Sequence, residues 1–139
     1  MTATLEEAYD AVLALVKSTW DTTGYEMLWG DIADEIPTTL TPWARTTLSF
    51  TNRAQGSLHN DQGVARYAQG GILVVQVFTP IAEGLATSLQ LGQVLLDGFE
   101  GEATPNGVWF RNVRYTQIGD RGEFKQANFI ADLEFDQVK

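Results

Sequence analysis

The sequence predicts an α+β domain, an antiparallel sheet of about four strands packed by an amino-terminal helix and a central helix. Three observations carry this. Apolar residues recur at helical spacing over the first twenty positions, alternate from Trp43 onward, and return to helical spacing between Pro80 and Phe99 before two final alternating runs. The expected order is helix, long loop, strand, strand, helix, strand, strand, with both helices on one face of the sheet.

Each element has a local reason. In "TLEEAYDAVLALVKSTW", Thr4 and Glu7 are spaced for a capping box, each side chain taking an orphan backbone N–H of the first turn. Leu5, Ala8, Tyr9, Val12, Leu15, Val16 and Trp20 then fall on one helical face. Asp21 to Thr41 holds the breakers Gly24, Gly30 and Pro37 and has poor periodicity, so it reads as a long ordered connection. Its Tyr25, Met27, Leu28, Trp29, Ile32 and Ile36 are too apolar for a free linker and should pack on the domain or on a neighbour.

Trp43 to Thr51 reads as a strand with Ala44, Thr46, Leu48 and Phe50 on one side. Asn52 to Gly63 reads as a polar loop, and Val64 starts the returning strand, with Gly70 and Gly71 permitting a bulge before Ile72 to Thr79. Thr79 followed by Pro80 suits an N-cap and first helical residue. The helix that follows runs to about Asp97, with Leu85, Leu89, Gly92, Leu95, Leu96 and Phe99 as its buried stripe, Leu91 on the flank and Val94 nearly opposite. "GVWFRNVRYTQI" alternates loosely. "EFKQANFIADLEF" alternates well, with Ala127, Phe129, Ala131, Leu133 and Phe135 on one face, and Gly119 to Gly122 reads as the turn between the two runs.

The run "ILVVQVF", Ile72 to Phe78, is apolar on both sides of the pleat. Helices cover one face only. The other needs the long loop or another subunit.

Composition bounds the function. The 139 residues form one domain, 1–139, large enough to bury about two thirds of its unfolded surface. The net charge is −9 and the nine Lys and Arg are scattered, which argues against a phosphate-backbone binder. Without cysteine there is no thiolate ligand or nucleophile, and the amino terminus lacks the basic and apolar regions of a signal peptide. No run approaches the ~20 apolar residues of a membrane span. The chain reads as soluble and intracellular where it is made.

Catalytic constellations are scarce. His59, the only histidine, sits beside Asn60 and Asp61 and reads as a solvated loop residue, with no second His or Cys for a common zinc set. Glu6 and Glu7 serve the helix start, and Glu134 and Asp136 alternate with Leu133 and Phe135 as the wet face of a strand. The glycines form no phosphate loop and the serines no nucleophile elbow. Arg45, Arg111 and Arg114 lie within strands, where they suit carboxylate partners, while Arg53, Arg66 and Arg121 lie in or beside loops. Trp20 and Trp43 read as core residues.

The series "TPWAR", a polar loop, "GGILVVQVFTPIAEGLATSLQLGQVLLDGF" and "GVWFRNVRYTQIGDRGEFKQANFIADLEFD" resembles the phage tail terminator, or tail completion, family of siphophages, prophages and gene transfer agents. The resemblance spans Trp29 to the carboxyl terminus. It implies a structural protein with no catalytic residue, cofactor or metal, which caps the tail tube as a six-fold ring, stops tube polymerisation and joins tail to head. The implied partners are further copies of the chain, the tail tube protein and a head-completion or connector protein, with DNA passing through the channel unbound and no membrane involved. The implied location is the virion at the head–tail junction, with the host cytoplasm as the place of assembly.

By the same analogy the contact loops are Asn52 to Gly63 and Gln117 to Gly122. The candidate interface residues are Trp29, Arg53, His59, Asp61, Arg66, Val94, Asp120 and Arg121. An acidic ring would let DNA pass without sticking. Two alternatives stand beside this: another neck or head-completion protein, and a small-molecule-binding or enzymatic cone-shaped domain resembling the nuclear-transport-factor-like group. In the latter, Tyr9, Trp20, Trp109 and Asp132 would line the pocket.

Overall fold

The computed structural model describes residues 3–30, 40–59 and 64–138, with the backbone alone at 55–59, 64–66 and 138. Its elements are α1 (Leu5–Asp21), β1 (Glu26–Trp29), β2 (Trp43–His59), β3 (Val64–Pro80), a 3-10 turn (Ile81–Glu83), α2 (Gly84–Phe99), β4 (Trp109–Arg121) and β5 (Phe124–Val138). The two helices and a five-stranded mixed sheet in the order β1-β2-β3-β5-β4 make an α+β fold. All neighbours are antiparallel except β1, which runs parallel to β2.

The capping box forms as spaced. Glu7 N–H donates to Thr4 Oγ at 3.2 Å, and Thr4 N–H donates to Glu7 Oε1 at 2.9 Å. These bonds to Thr4 hold the Glu7 carboxyl below the ordinary glutamate range. From that start α1 buries Ala8, Val12, Val16 and Trp20, while Leu5 is left exposed. The Trp20 indole N–H donates to Tyr25 O at 2.9 Å, which satisfies its one polar atom inside the core. Two long-range bonds hold the helix in place: Gln137 Nε2 to Ala3 O at 2.7 Å and Asn106 Nδ2 to Glu7 O at 3.1 Å.

Both helices lie on one face of the sheet. Val12, Val16 and Trp20 of α1 and Leu91, Leu95 and Phe99 of α2 share a core cluster with Leu73, Val75 and Val77 of β3 and Phe129, Ala131, Leu133 and Phe135 of β5. Each large apolar side chain buried there contributes about 1.5–3 kcal/mol. Phe99 sits at the centre, 4.9 Å from the Phe110 ring and 5.2 Å from that of Phe129. Gly92 lets α2 approach β4. A Cβ there would lie 2.5 Å from the Tyr115 ring, whose hydroxyl is 2.9 Å from Ser88 Oγ. Burial pushes the Tyr115 phenol above the ordinary tyrosine range, the bond to Ser88 opposing.

Several expectations are corrected. The connection read as irregular contains β1, whose Met27 and Trp29 pack on the core while Leu28 faces the other side. The polar loop expected at Asn52 to Gly63 is strand as far as His59, because β2 and β3 pair along their whole described length. The bulge expected at Gly70 and Gly71 exists, but its extra residue belongs to the other strand. Thr51 and Asn52 stand between the pairs Phe50↔Gly71 and Arg53↔Gln69, opposite Gly70 alone.

Thr79 does not cap a helix. Pro80 stays extended and pairs with Phe124, and α2 begins only at Gly84, where φ is +71°. The buried stripe of α2 is Ser88, Leu91, Gly92, Leu95 and Phe99. Leu91 is therefore interior, and Leu85 and Leu89 face solvent. Finally, Gly119, Asp120 and Arg121 belong to β4, and the turn is Gly122 and Glu123.

Candidate assembly interface

The sheet face turned away from the helices can be built from the strand register. On β3, Leu73, Val75 and Val77 face the core, so Ile72, Val74, Gln76 and Phe78 face outward. The pairings then set Trp43 beside Phe78, Arg45 beside Gln76 and Asn128, Thr47 beside Val74 and Ile130, and Ile72 beside Asp132 and Arg111.

One end of this face closes on itself. Trp43 stacks on Phe78 with ring centroids 4.2 Å apart, Phe124 meets Trp43 edge-on at 6.2 Å, and Leu28 completes the cluster. The rest is open. Ile72 is 38% exposed, Val74 and Ile130 are half-buried one row nearer Phe78, and Trp109, 41% exposed, stands across β5 beside Glu134. Among the described residues, the two-sided apolar run has its helix side fully covered and its outer side covered at the Phe78 end only; 31–39 of the long connection, with Ile32 and Ile36, lie outside them.

Charge crosses the open part, since Asp132 and Glu134 stand on β5 between Ile72 and Trp109. Arg111 Nη2 lies 3.0 Å from Glu134 Oε2 with its guanidinium over the Trp109 ring, and Arg114 Nη1 lies 3.7 Å from Asp132 Oδ1. Asn112, with φ +51°, donates to Asp132 Oδ2 at 3.0 Å and offers its carbonyl to Arg114 at 2.6 Å. The expected carboxylate partners are thus present for Arg111 and Arg114. Arg45 instead rests over the Trp43 ring at 5.8 Å.

The residues singled out from the sequence do not converge. Asp120 and Arg121 end β4 beside the turn, with Asp120 Oδ1 accepting from Lys125 Nζ at 3.3 Å. Arg53, His59 and Arg66 lie toward the opposite end, since Arg66 pairs with Val138 and Pro80 with Phe124 on the same strand pair. Fourteen residue steps separate those pairs, about 46 Å of strand. Arg53 donates to Gln69 Oε1 at 3.1 Å and stacks over Tyr67 at 5.0 Å. His59 and Arg66 are placed by backbone alone, and Asp61 lies outside the described residues. Trp29 is half-buried on the core, and Val94 is half-buried on α2.

Ile72, Val74, Trp109 and Ile130 of this face are not among the candidate interface residues chosen from the sequence. The signal was in the sequence, in the apolar parity of both sides of "ILVVQVF", but the strands that extend that surface become visible only with the register.

No group of three or more His, Cys, Asp or Glu among the described residues could hold a metal ion. A cleft of about 220 Å³ between α1 and β2 is lined by Tyr9, Leu13, Gly30, Thr46, Thr47, Leu48 and Ser49, which supply hydroxyls but no carboxylate, imidazole or amine. The four residues of the cone-pocket reading are divided between faces. Trp20 is in the core under the helices, while Trp109 and Asp132 stand on the outer face of the sheet. No helix among the described residues is long and apolar enough to cross a membrane.

No family model and no curated protein matches the chain. Among solved structures, one of a protein whose name describes no function superposes with a TM-score of 0.62 at 15% identity, covering 91% of this chain and 94% of its own. That likeness establishes a shared fold.

Proposed function

We propose that this chain is a structural protein of a phage-like particle, one that caps the tail tube as a ring, stops its polymerisation and joins tail to head. The observation that carries the reading is the outer sheet face, where Ile72, Val74 and Ile130, flanked by arginine–carboxylate pairs on β4 and β5, are left uncovered by helices that lie on the other side. Open apolar patches with polar rims mark protein contacts. The resemblance running from "TPWAR" to the final strand supplies the particular assembly. The net charge of −9 suits a collar through which DNA must slide.

Removing the gene from a tailed particle's genome tests the reading. A terminator's loss leaves tube growth unchecked, so overlong tails separated from filled heads are expected. Normal tails on normal heads would contradict the role, and tails of normal length lacking heads would assign the chain to another part of the neck.

A further inference from the structure

Charge in this chain is segregated by layer. Glu6, Glu7, Asp10 and Asp21 on α1, Glu83 before α2, Asp97 on it, and Glu100 and Glu102 after it are all exposed, and Lys17 alone opposes them. Every arginine lies on a strand: Arg45 and Arg53 on β2, Arg66 on β3, and Arg111, Arg114 and Arg121 on β4. On the outer face the guanidiniums stand outboard of their partners. The Arg111 side chain is 55% exposed against 22% for Glu134, and Arg114 46% against 29% for Asp132. Arg45 on the same face makes no ion pair with a described carboxylate. Both layers also carry exposed apolar groups, Leu85 and Leu89 one turn apart on α2, Ile72 and Trp109 on the sheet.

We propose that the helix layer of one copy docks on the outer sheet face of the next, head to tail. The occupant is a second copy because the helix layer carries eight exposed carboxylates against one lysine, together with two exposed leucines, while on the sheet face the guanidiniums stand outboard of its carboxylates beside Ile72 and Trp109. A helix-to-helix pair would instead set two strongly acidic surfaces against each other. Extension of the sheet along β4 or the free part of β2 is a poor alternative. The β4 edge is interrupted by extra residues at Asn112–Val113 and at Ile118, and β2 by those at Thr51–Asn52. Such bulges blunt an edge against strand pairing. A contact between unlike surfaces is heterologous and closes into a ring or runs on as a filament; closure here rests on the ring reading above.

The test uses two altered chains, checked for native near-ultraviolet circular dichroism. One carries Arg45→Glu with Arg114→Gln; the other carries Asp97→Lys with Glu100→Lys. Sedimentation velocity is recorded up to millimolar concentration at low and high salt. The wild-type chain is expected to associate, less so in salt, and each altered chain to associate about tenfold more weakly or not at all. An equimolar mixture of the two should form heterodimers, since each retains the surface the other has lost, and the four changes combined in one chain should restore association.

A wild-type chain that stays monomeric throughout overturns the contact. So does a sheet-altered chain that associates normally. Loss confined to the sheet-altered chain also overturns it, because the sheet face would then take another sheet face or a different acidic protein. Each failure leaves the tail-end role standing, which is decided on particles.

Discussion

Thr79 shows how a residue can satisfy every local rule and still do something else. Threonine before proline is a strong helix-start signal, yet Thr79 is fully buried and its hydroxyl has no hydrogen-bond partner among the described residues. Pairing across the sheet decided the matter: Thr79 and Pro80 continue the β3–β5 ladder against Lys125 and Phe124, and the chain turns into α2 only at Gly84. A buried hydroxyl without a partner forfeits its hydration. Thr79→Val, which keeps the branched shape, is therefore expected to raise unfolding stability by about 1 kcal/mol in urea titration. A loss of stability would mean the hydroxyl is bonded in solution. The capping box was legible for the opposite reason, since Thr4 and Glu7 find each other within one turn and need no tertiary context.

Among elements, those whose evidence is local or strictly periodic were readable. The face of β5 from Ala127 to Phe135 is buried as its alternation requires, and the face of α1 holds except at Leu5. The others depend on distant partners. β1 is four residues long and exists through its parallel pairing with Trp43 to Thr46. β4 alternates loosely because its two bulges shift the phase twice. The far half of β2 is polar because a strand with no helix above it has nothing to bury; Thr51 to Ala54 are all exposed. This sets up a gradient of stability along the hairpin. Amide hydrogen exchange is expected to be faster in Thr51 to Ala54 of β2 than in Leu73 to Val77 of β3, the second segment lying under the helices between two strands. Equal protection would mean that the hairpin is covered in solution.

At the scale of the whole molecule, one face of a twisted sheet is covered by two acidic helices, and the other bears a half-closed apolar surface flanked by arginines. The need for that second cover is legible in the run from Ile72 to Phe78, which is apolar on both sides of the pleat. The particular surface is not, because it is assembled from β2, β3, β5 and β4 across a register that no single stretch encodes. Of the candidates chosen from loops, Arg53, His59 and Arg66 fell at one end of the sheet and Asp120 and Arg121 at the other for the same reason. Membership of a tail-end ring is tested most directly on tailed particles purified from the source culture, labelled with an antibody to this protein and imaged by electron microscopy. Gold confined to the head–tail junction is the predicted result. Intact tailed particles that carry no gold, and yield no peptide of this chain by mass spectrometry, would contradict it.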